Sequence, residues 1–262
     1  MNNSEIMKIA LEQSMKDYSI EIESFSKDGY TIYPPRVLQK DARNYLKHQP
    51  FCNFVYYGKS LVVIADESLH PFLDNYLGEN KNELYRVFDA PQITKLNNKL
   101  EEHGYCIAHL ADFYLPDVTY QPLLNKEIKT KILLGDELLD LYDDKRFPMA
   151  LGYSRTEVRR DEIAIVGYIN DEIVGVAGAS NDSSTMWQIG IDVLPNYRFK
   201  GIASTLTYLL SKEILKIGKV PFYCCAWSNI ASRNTARKAG FRSAWVELTA
   251  KSINEDWIKK IR

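Results

Sequence analysis

The sequence predicts a mixed α+β protein, in which a smaller N-terminal domain precedes a domain built on a central mixed sheet flanked by helices. Two observations carry this prediction. Residues 162–169 and 172–179 alternate apolar and polar side chains on either side of Asn170-Asp171, which is the pattern of a β-hairpin. Residues 187–217 then form an apolar strand, a basic loop and an amphipathic helix. Strands and helices in this order are typical of a sheet with helices packed against it.

The domain boundary is predicted at residue 122, because residues 115–122 contain two prolines and no periodic apolar pattern. The predicted domains are therefore 1–122 and 123–262. The N-terminal elements are expected as a helix (1–23), a hairpin (51–65), a helix (69–76), a strand (84–88), a helix (91–102) and a strand (105–113). Their order resembles that of the C-terminal elements, so this α+β domain is either a degenerate copy of the C-terminal fold or a separate lid.

Length and composition allow a folded core, and the charge distribution is uneven. The chain has 262 residues and a hydrophobic fraction of 45%, enough for one large or two modest domains. Residues 196–262 hold 13 Lys or Arg against 4 Asp or Glu, although the whole chain has a net charge of −1. A local positive field raises the encounter rate of an anionic ligand. No helix-turn-helix, zinc or RNA-binding aromatic motif accompanies it, so no nucleic-acid partner is expected.

The four cysteines and four histidines show neither a disulfide framework nor the spacing of metal ligands. Cys224 and Cys225 are adjacent in a strand and point to opposite faces. Reduced thiols are typical of a cytoplasmic protein, which is the expected location. The first five residues lack a signal-peptide pattern, and no apolar run approaches the ~20 residues that cross a bilayer. The sequence therefore predicts neither a metal nor a membrane partner.

The most informative segment is residues 193–203, between the strand and the helix. A helix N-terminus offers unpaired backbone N–H groups and a partial positive charge, and is therefore suited to bind phosphate. Gly201 lets the backbone approach a ligand, and Arg198 and Lys200 add full charges. The segment has neither Gly-x-x-x-x-Gly-Lys-Ser/Thr nor the three glycines of Gly-x-Gly-x-x-Gly, which excludes a P-loop and a dinucleotide fingerprint.

Two motifs carry a resemblance to a known family. Residues 198–203, Arg-Phe-Lys-Gly-Ile-Ala, match Arg/Gln-x-x-Gly-x-Gly/Ala and resemble the acyl-CoA pyrophosphate loop of the GNAT superfamily of N-acetyltransferases. Residues 229–241 begin Asn-Ile-Ala-Ser and end Gly-Phe, and resemble the second GNAT motif. An Asn N-cap and a Gly after the helix are also favoured on physical grounds. The resemblance covers about residues 126–262, and implies that residues 126–152 supply the first two helices and the substrate-side loop.

The resemblance implies direct transfer of an acetyl group from acetyl-CoA, as co-substrate, to a primary amine of a small molecule or peptide. The backbone N–H of Val193 is implied to hold the thioester carbonyl. The residues implied to bind the cofactor are Val193, Arg198, Phe199, Lys200, Gly201, Ile202, Ala203, Ser204, Asn229 and Ser232.

The general base and the proton donor follow less directly. All four histidines lie before residue 110, so a local His base is excluded. Asp192 is the nearest carboxylate in sequence and is the predicted base; the alternative is an aspartate bonded to a turn N–H. Many family members carry a Tyr where this chain has Ala236. Tyr197 matches a position that some family members use for this role and is the implied proton donor. The alternatives are a tyrosine that only packs in the turn and a proton from solvent, because a thiol leaving group has a pKa near ~8.5.

The sequence therefore predicts an acyltransferase of the GNAT type. The alternative is a non-catalytic acyl-CoA-binding or sensing module, which would keep the same binding residues. A basic module for nucleic acid has little support. The acceptor amine stays open, because residues 143–160, expected to shape its pocket, mix acidic and basic side chains. A homodimer also stays open.

Overall fold

The computed structural model describes residues 1–152 and 160–259. The strands are β1 (Gly29–Tyr33), β2 (Cys52–Tyr56), β3 (Ser60–Ala65), β4 (Tyr105–Pro116), β5 (Lys129–Leu134), β6 (Asp161–Ile169), β7 (Glu172–Ser180), β8 (Met186–Val193), β9 (Val220–Ala226) and β10 (Phe241–Ser252). The α-helices are α1 (Asn3–Tyr18), α2 (His70–Gly78), α3 (Ala90–Glu101), α4 (Ile202–Lys216), α5 (Ile230–Lys238) and α6 (Asp256–Lys259). Parallel and antiparallel strand pairs occur together with helices, so the predicted mixed α+β class is confirmed.

The chain divides into two compact units, each made of several segments. The first unit contains Met1–Gln13, Arg43–Tyr45 and the described part of Tyr114–Ser243. The second contains Ser14–Ala42, Leu46–Phe113 and the described residues from Ala244 onward. Compactness does not test whether residues 1–122 and 123–262 fold independently, so that domain boundary stays a prediction.

The first unit contains the strands β5, β6, β7, β8 and β9 in that spatial order. Neighbouring strands are antiparallel except β8 and β9, which are parallel. The turn between β6 and β7 holds Asn170 and Asp171 at φ values of 49° and 64°. Two consecutive positive φ values are what a type I′ hairpin turn requires, and the predicted hairpin is confirmed.

Both faces of this sheet are covered. Helix α4 packs on one face, where a Cβ placed on Gly175 would lie 3.0 Å from the side chain of Leu206. The glycine therefore lets the helix approach the sheet closely. On the opposite face, Leu138, Phe147 and Ala150 form a buried cluster with side chains of β6 and β7. The unit thus has a core on each side of the strands.

The second unit packs helices α2 and α3 against a smaller group of strands. Strands β2 and β3 form the predicted antiparallel hairpin, and β1 lies parallel to β3. Four leucines that recur at helical spacing, Leu73, Leu77, Leu96 and Leu100, are fully buried in one cluster with residues of β2 and β3.

Two predictions about the N-terminal elements are wrong. Residues Leu84–Phe88 form a 3-10 helix instead of a strand. Leu84 and Val87 are both buried and lie three residues apart, which is the repeat of a 3-10 helix. The first helix ends at Tyr18 instead of residue 23, because Ser19 adopts a φ of 55°.

The resemblance implied two helices between residues 126 and 152, and this prediction is also wrong. The structure has strand β5 followed by a 3-10 helix, Gly135–Tyr142. Of β5 only Leu133 is buried, so the strand lacks an apolar pattern of its own. It is held by backbone pairing with β6, a contact that local sequence does not report.

Candidate functional site

Strands β8 and β9 stop pairing before either strand ends. Their register runs over Met186–Gln188 and Val220–Phe222, whereas β8 continues to Val193 and β9 to Ala226. Backbone N–H and C=O groups beyond the paired region need other partners. A cleft of about 650 Å³ opens at this point and is lined by residues of both strands. A ligand in the cleft can therefore bind to strand backbone.

One wall of the cleft is the segment 148–152, which lies on the sheet face opposite α4. A Cβ placed on Gly178 would lie 2.6 Å from the carbonyl oxygen of Ala150, and one on Gly190 would lie 2.7 Å from the same oxygen. Backbone this close leaves room only for glycine, so Gly178 and Gly190 allow the segment 148–152 to lie directly against the sheet. Residues 153–159, part of the stretch expected to shape the acceptor pocket, lie outside the described residues.

The loop between β8 and α4 closes one end of the cleft. Helix α4 begins at Ile202, and Gly201 before it has a left-handed φ of 77°. Phe199 also has a positive φ, 63°. The side-chain amide of Asn125 donates a hydrogen bond to the carbonyl of Lys200 at 2.8 Å and pins the loop. The first-turn N–H groups of α4 have no intrahelical partners, so this loop presents a group of backbone donors.

The two cations of the loop differ in position. Arg198 lines the cleft, and its Nε donates to the carbonyl of Val193 at 2.9 Å. The Nζ of Lys200 lies over the ring of Tyr197, 5.4 Å from its centroid, and Lys200 is not among the described residues that line the cleft. Arg198 is therefore better placed than Lys200 to meet an anion in the cleft.

The predicted base and the predicted oxyanion donor are bonded to each other. The Oδ1 of Asp192 accepts a hydrogen bond from the backbone N–H of Val193 at 2.9 Å. The next N–H, of Leu194, donates to Val174 on β7 at 2.9 Å. Because N–H directions alternate along a strand, the Val193 N–H points away from β7, toward the side on which β8 no longer pairs with β9. The side chain of Asp192 is 15% exposed and lies 3.6 Å from Arg198.

Tyr197, the predicted proton donor, lines the cleft but is engaged. Its hydroxyl donates to Oε2 of Glu172 at 2.9 Å. This hydrogen bond raises the pKa of Tyr197 above the usual value for a tyrosine. A raised pKa weakens the phenol as an acid, so proton donation from Tyr197 requires the bond to Glu172 to break.

The second motif forms the start of α5 as predicted. The Oδ1 of Asn229 accepts a hydrogen bond from the N–H of Ser232 at 3.1 Å, and Gly240 follows the helix with a φ of 85°. The hydroxyl of Ser232 lies 2.7 Å from that of Tyr223. Tyr223 lines the cleft from β9, and burial raises the pKa of Tyr223 to about 12. Its hydroxyl therefore stays protonated at neutral pH.

The structure brings nearly all the predicted site residues to one place. Asp192 and Tyr197 line the cleft. So do nine of the ten residues predicted to bind the cofactor: Val193, Arg198, Phe199, Gly201, Ile202, Ala203, Ser204, Asn229 and Ser232. Ala236, which stands where many family members carry a tyrosine, is fully buried. The roles of the predicted site residues in binding and catalysis stay predictions.

Sequence reasoning missed several residues of the site. The side-chain amide of Gln188 donates to the Sγ of Cys224 at 3.1 Å, and both line the cleft. Gln188 shares a strand face with Gly190 and Asp192, so a count of alternate positions could have found it. No local signal could have found Asn125, which is 75 residues from the carbonyl it binds.

Within residues 1–152 and 160–259, no three or more His, Cys, Asp or Glu side chains are grouped so as to hold a metal ion. None of the helices that the structure describes combines the length and the apolar character that a membrane crossing needs.

A parallel strand pair that opens onto a glycine-bearing loop and a helix N-terminus defines a class of α+β domain suited to phosphate-bearing ligands. Residues 131–241 match the model of the Acetyltransferase (GNAT) family. The matched segment falls within the first compact unit and contains the pyrophosphate-loop motif and the second motif. The resemblance of the C-terminal half to the GNAT superfamily is therefore confirmed.

Solved structures give more distant likenesses. The chain is similar to a GCN5-related N-acetyltransferase from Kribbella flavida, with 12% identity and a TM-score of 0.47 over 61% of this chain and 64% of that chain. It is similar to another from Sphaerobacter thermophilus, with 15% identity and a TM-score of 0.47 over 74% of this chain and 73% of that chain. It is also similar to a GCN5-related N-acetyltransferase-like protein from Streptococcus suis 89/1591, with 14% identity and a TM-score of 0.45 over 94% of this chain and 99% of that chain. The chain spans less than two thirds of the Kribbella structure. No curated protein matches the chain.

Proposed function

We propose that residues 123–262 form an N-acetyltransferase domain that moves an acetyl group from acetyl-CoA to a primary amine. The family match supports acetyl transfer as the general chemistry. One observation carries the more specific proposal: the opening between β8 and β9 leads to the loop before α4. A single cleft thus offers strand backbone for the acyl-carrying arm and a helix N-terminus for the diphosphate.

In the proposed reaction, the amine nitrogen attacks the thioester carbon, the carbon–sulfur bond breaks, and the thiolate takes up a proton. We assign the carbonyl oxygen to the N–H of Val193, the proton of the amine to Asp192, and proton donation to Tyr197. An N–H aimed at a developing oxyanion contributes about 3–4 kcal/mol. A thiol with a pKa near ~8.5 leaves readily, so the proton donor contributes least.

Arg198 links carrier binding to this chemistry in the proposal. Its guanidinium is bonded to the carbonyl of Val193 and lies 3.6 Å from Asp192. A diphosphate that arrives at the loop competes for the same guanidinium, because phosphate oxygens accept strong hydrogen bonds from arginine. Carrier binding therefore weakens the hold of Arg198 on Asp192.

Calorimetric titration with coenzyme A and acetyl-CoA tests the binding part of the proposal. We expect Arg198→Ala to weaken binding about tenfold or more, because a charge-assisted hydrogen bond is lost. Lys200→Ala should change affinity by less than about threefold, since its ammonium lies over Tyr197. Lys212→Ala, an exposed cation further along α4, is the matched control. No heat from either ligand with folded wild-type protein would sink the proposal.

A non-catalytic acyl-CoA-binding or sensing role is the second candidate. Two observations favour it: Asp192 occupies the N–H of Val193, and Ala236 replaces the tyrosine that the resemblance implied. Thiol release from acetyl-CoA with a panel of primary amines separates the two. Amine-dependent release supports the transferase, whereas tight binding without release from any amine supports the sensing role.

We further propose a small-molecule or peptide amine as the acceptor and the cytoplasm as the compartment of the reaction. Nucleic acid and membrane are not proposed as partners. Sedimentation of the purified chain, with and without coenzyme A, tests the open question of a homodimer.

A further inference from the structure

Phe199 is the most exposed large apolar side chain among the described residues. Its relative exposure is 103%, so its ring gains nothing from packing. Its φ of 63° lies in the left-handed region, which bulky residues rarely adopt. A residue that keeps an unfavourable backbone conformation without a packing gain points to a functional constraint.

The backbone on both sides of Phe199 is held in place. The Nε of Arg198 donates to the carbonyl of Val193, and its backbone N–H donates to the carbonyl of Pro195 at 3.3 Å. On the other side, the carbonyl of Lys200 accepts from Asn125. The backbone that carries Phe199 is therefore held before any ligand binds, which lowers the entropy lost on binding.

Phe199 follows Arg198 in the loop and is among the residues that line the cleft, while its side chain is fully exposed. This loop closes the end of the cleft where the proposed function puts the diphosphate of the carrier. Coenzyme A carries its purine nucleoside directly beyond the diphosphate. Aromatic side chains bind nucleobases by stacking, because every base has a flat π-face. A fully exposed phenylalanine in the loop that is proposed to bind the diphosphate is therefore better suited to stack on a nucleobase than to bind an aliphatic ligand.

We propose that Phe199 is a stacking platform for the adenine base of the carrier. This inference rests on the proposed function and extends it, since it assigns to one side chain the discrimination between carriers with and without a nucleoside. A second copy of the chain covering the ring is the competing occupant.

The test compares coenzyme A with 4′-phosphopantetheine, which has the same thiol arm but lacks adenosine 3′,5′-bisphosphate and so carries one phosphate in place of the diphosphate. We expect Phe199→Leu to weaken coenzyme A binding about tenfold and to leave 4′-phosphopantetheine binding within about twofold. Phe199→Trp should keep coenzyme A binding within about threefold of wild type. Ile217→Ala removes another exposed apolar side chain, at the far end of α4, and should change neither affinity.

A glycine variant gives an independent readout. Phe199→Gly should raise the midpoint of thermal unfolding, because glycine adopts a positive φ without strain, while it weakens coenzyme A binding. Equal losses for both ligands, or no loss for coenzyme A in the leucine variant, would overturn the inference. So would a change in sedimentation mass without a change in affinity. If wild-type protein binds neither ligand, the proposed function itself fails.

Discussion

The carboxylate of Asp192 and the backbone N–H of Val193 form a hydrogen bond of 2.9 Å. In the proposed reaction these groups have separate tasks, one accepting a proton from the amine and the other holding the carbonyl oxygen. They cannot perform both tasks while bonded to each other. The Nη2 of Arg198 lies 3.6 Å from Oδ1 of Asp192, so a carrier that draws this cation away changes the charge around the same carboxylate.

Replacement of Asp192 by Asn tests the proposed base. Asn keeps the size and can still accept from the Val193 N–H, but it cannot take a proton. We expect kcat for amine-dependent thiol release to fall about hundredfold, with the KM for acetyl-CoA within about twofold. Asp171→Asn is the matched control, because Asp171 sits in a hairpin turn at a φ that Asn tolerates. An unchanged kcat in the Asp192 variant would remove Asp192 from the mechanism.

Proline at residue 193 tests the backbone donor. Val193→Pro deletes the N–H, and turnover should fall about hundredfold or more. Pairing with β7 should survive, since it is the N–H of Leu194 that bonds to Val174. Val193→Ala keeps the N–H and should retain kcat within about threefold, at a cost of about 1–3 kcal/mol in stability because the side chain is buried.

Thermal melts and coenzyme A titration of both residue-193 variants serve as the folding control. A proline variant that binds the carrier and turns over like wild type would show that another group holds the carbonyl oxygen.

Tyr197 and Glu172 are expected to act on the rate in opposite directions. If Tyr197 donates the proton, Tyr197→Phe lowers kcat, by about tenfold because the thiolate is a good leaving group. Glu172→Gln replaces the carboxylate that raises the pKa of Tyr197 with a neutral and weaker acceptor, so the phenol becomes a better acid and kcat rises. Steady-state thiol release measures both. A Phe variant with wild-type kcat would leave Tyr197 as a packing residue.

Asp117 should make stability depend on pH at the acid end. Hydrogen bonds from Thr119 and Asn3, together with the positive charge of Arg242, lower the pKa of Asp117 to about 2. An unfolded aspartate has a pKa near ~3.9, so between these values the unfolded chain binds the proton more readily. The stabilisation is therefore present above about pH 4 and is lost as the pH falls toward about 2.

Melting temperatures across that range test the Asp117 prediction. Asp117→Asn should melt below wild type at neutral pH, and the gap should shrink as the pH falls. A gap that stays constant with pH would mean that the charge of Asp117 contributes nothing.

Local patterns predicted most of the site. The hairpin, the strand before the loop, the start of α4 and the Asn229 cap all depend on residues close together in sequence. Turn, cap and strand preferences act over a few residues, so a sequence reports them directly. The two strands that were missed depend on distant partners: β5 exists because it pairs with β6, and β1 pairs with β3.

The sequence by itself determined that a basic, glycine-bearing loop lies between a strand and a helix, and which side chains that loop carries. Only the tertiary structure decided how those groups are engaged. Because β9 separates from β8, the N–H of Val193 faces a cleft instead of a neighbouring strand, and it donates a hydrogen bond to Asp192. The folding of a remote segment brings Asn125 onto the loop. Hydrogen bonds are directional and short-ranged, so two groups far apart in the chain can form one only after the fold has brought them together.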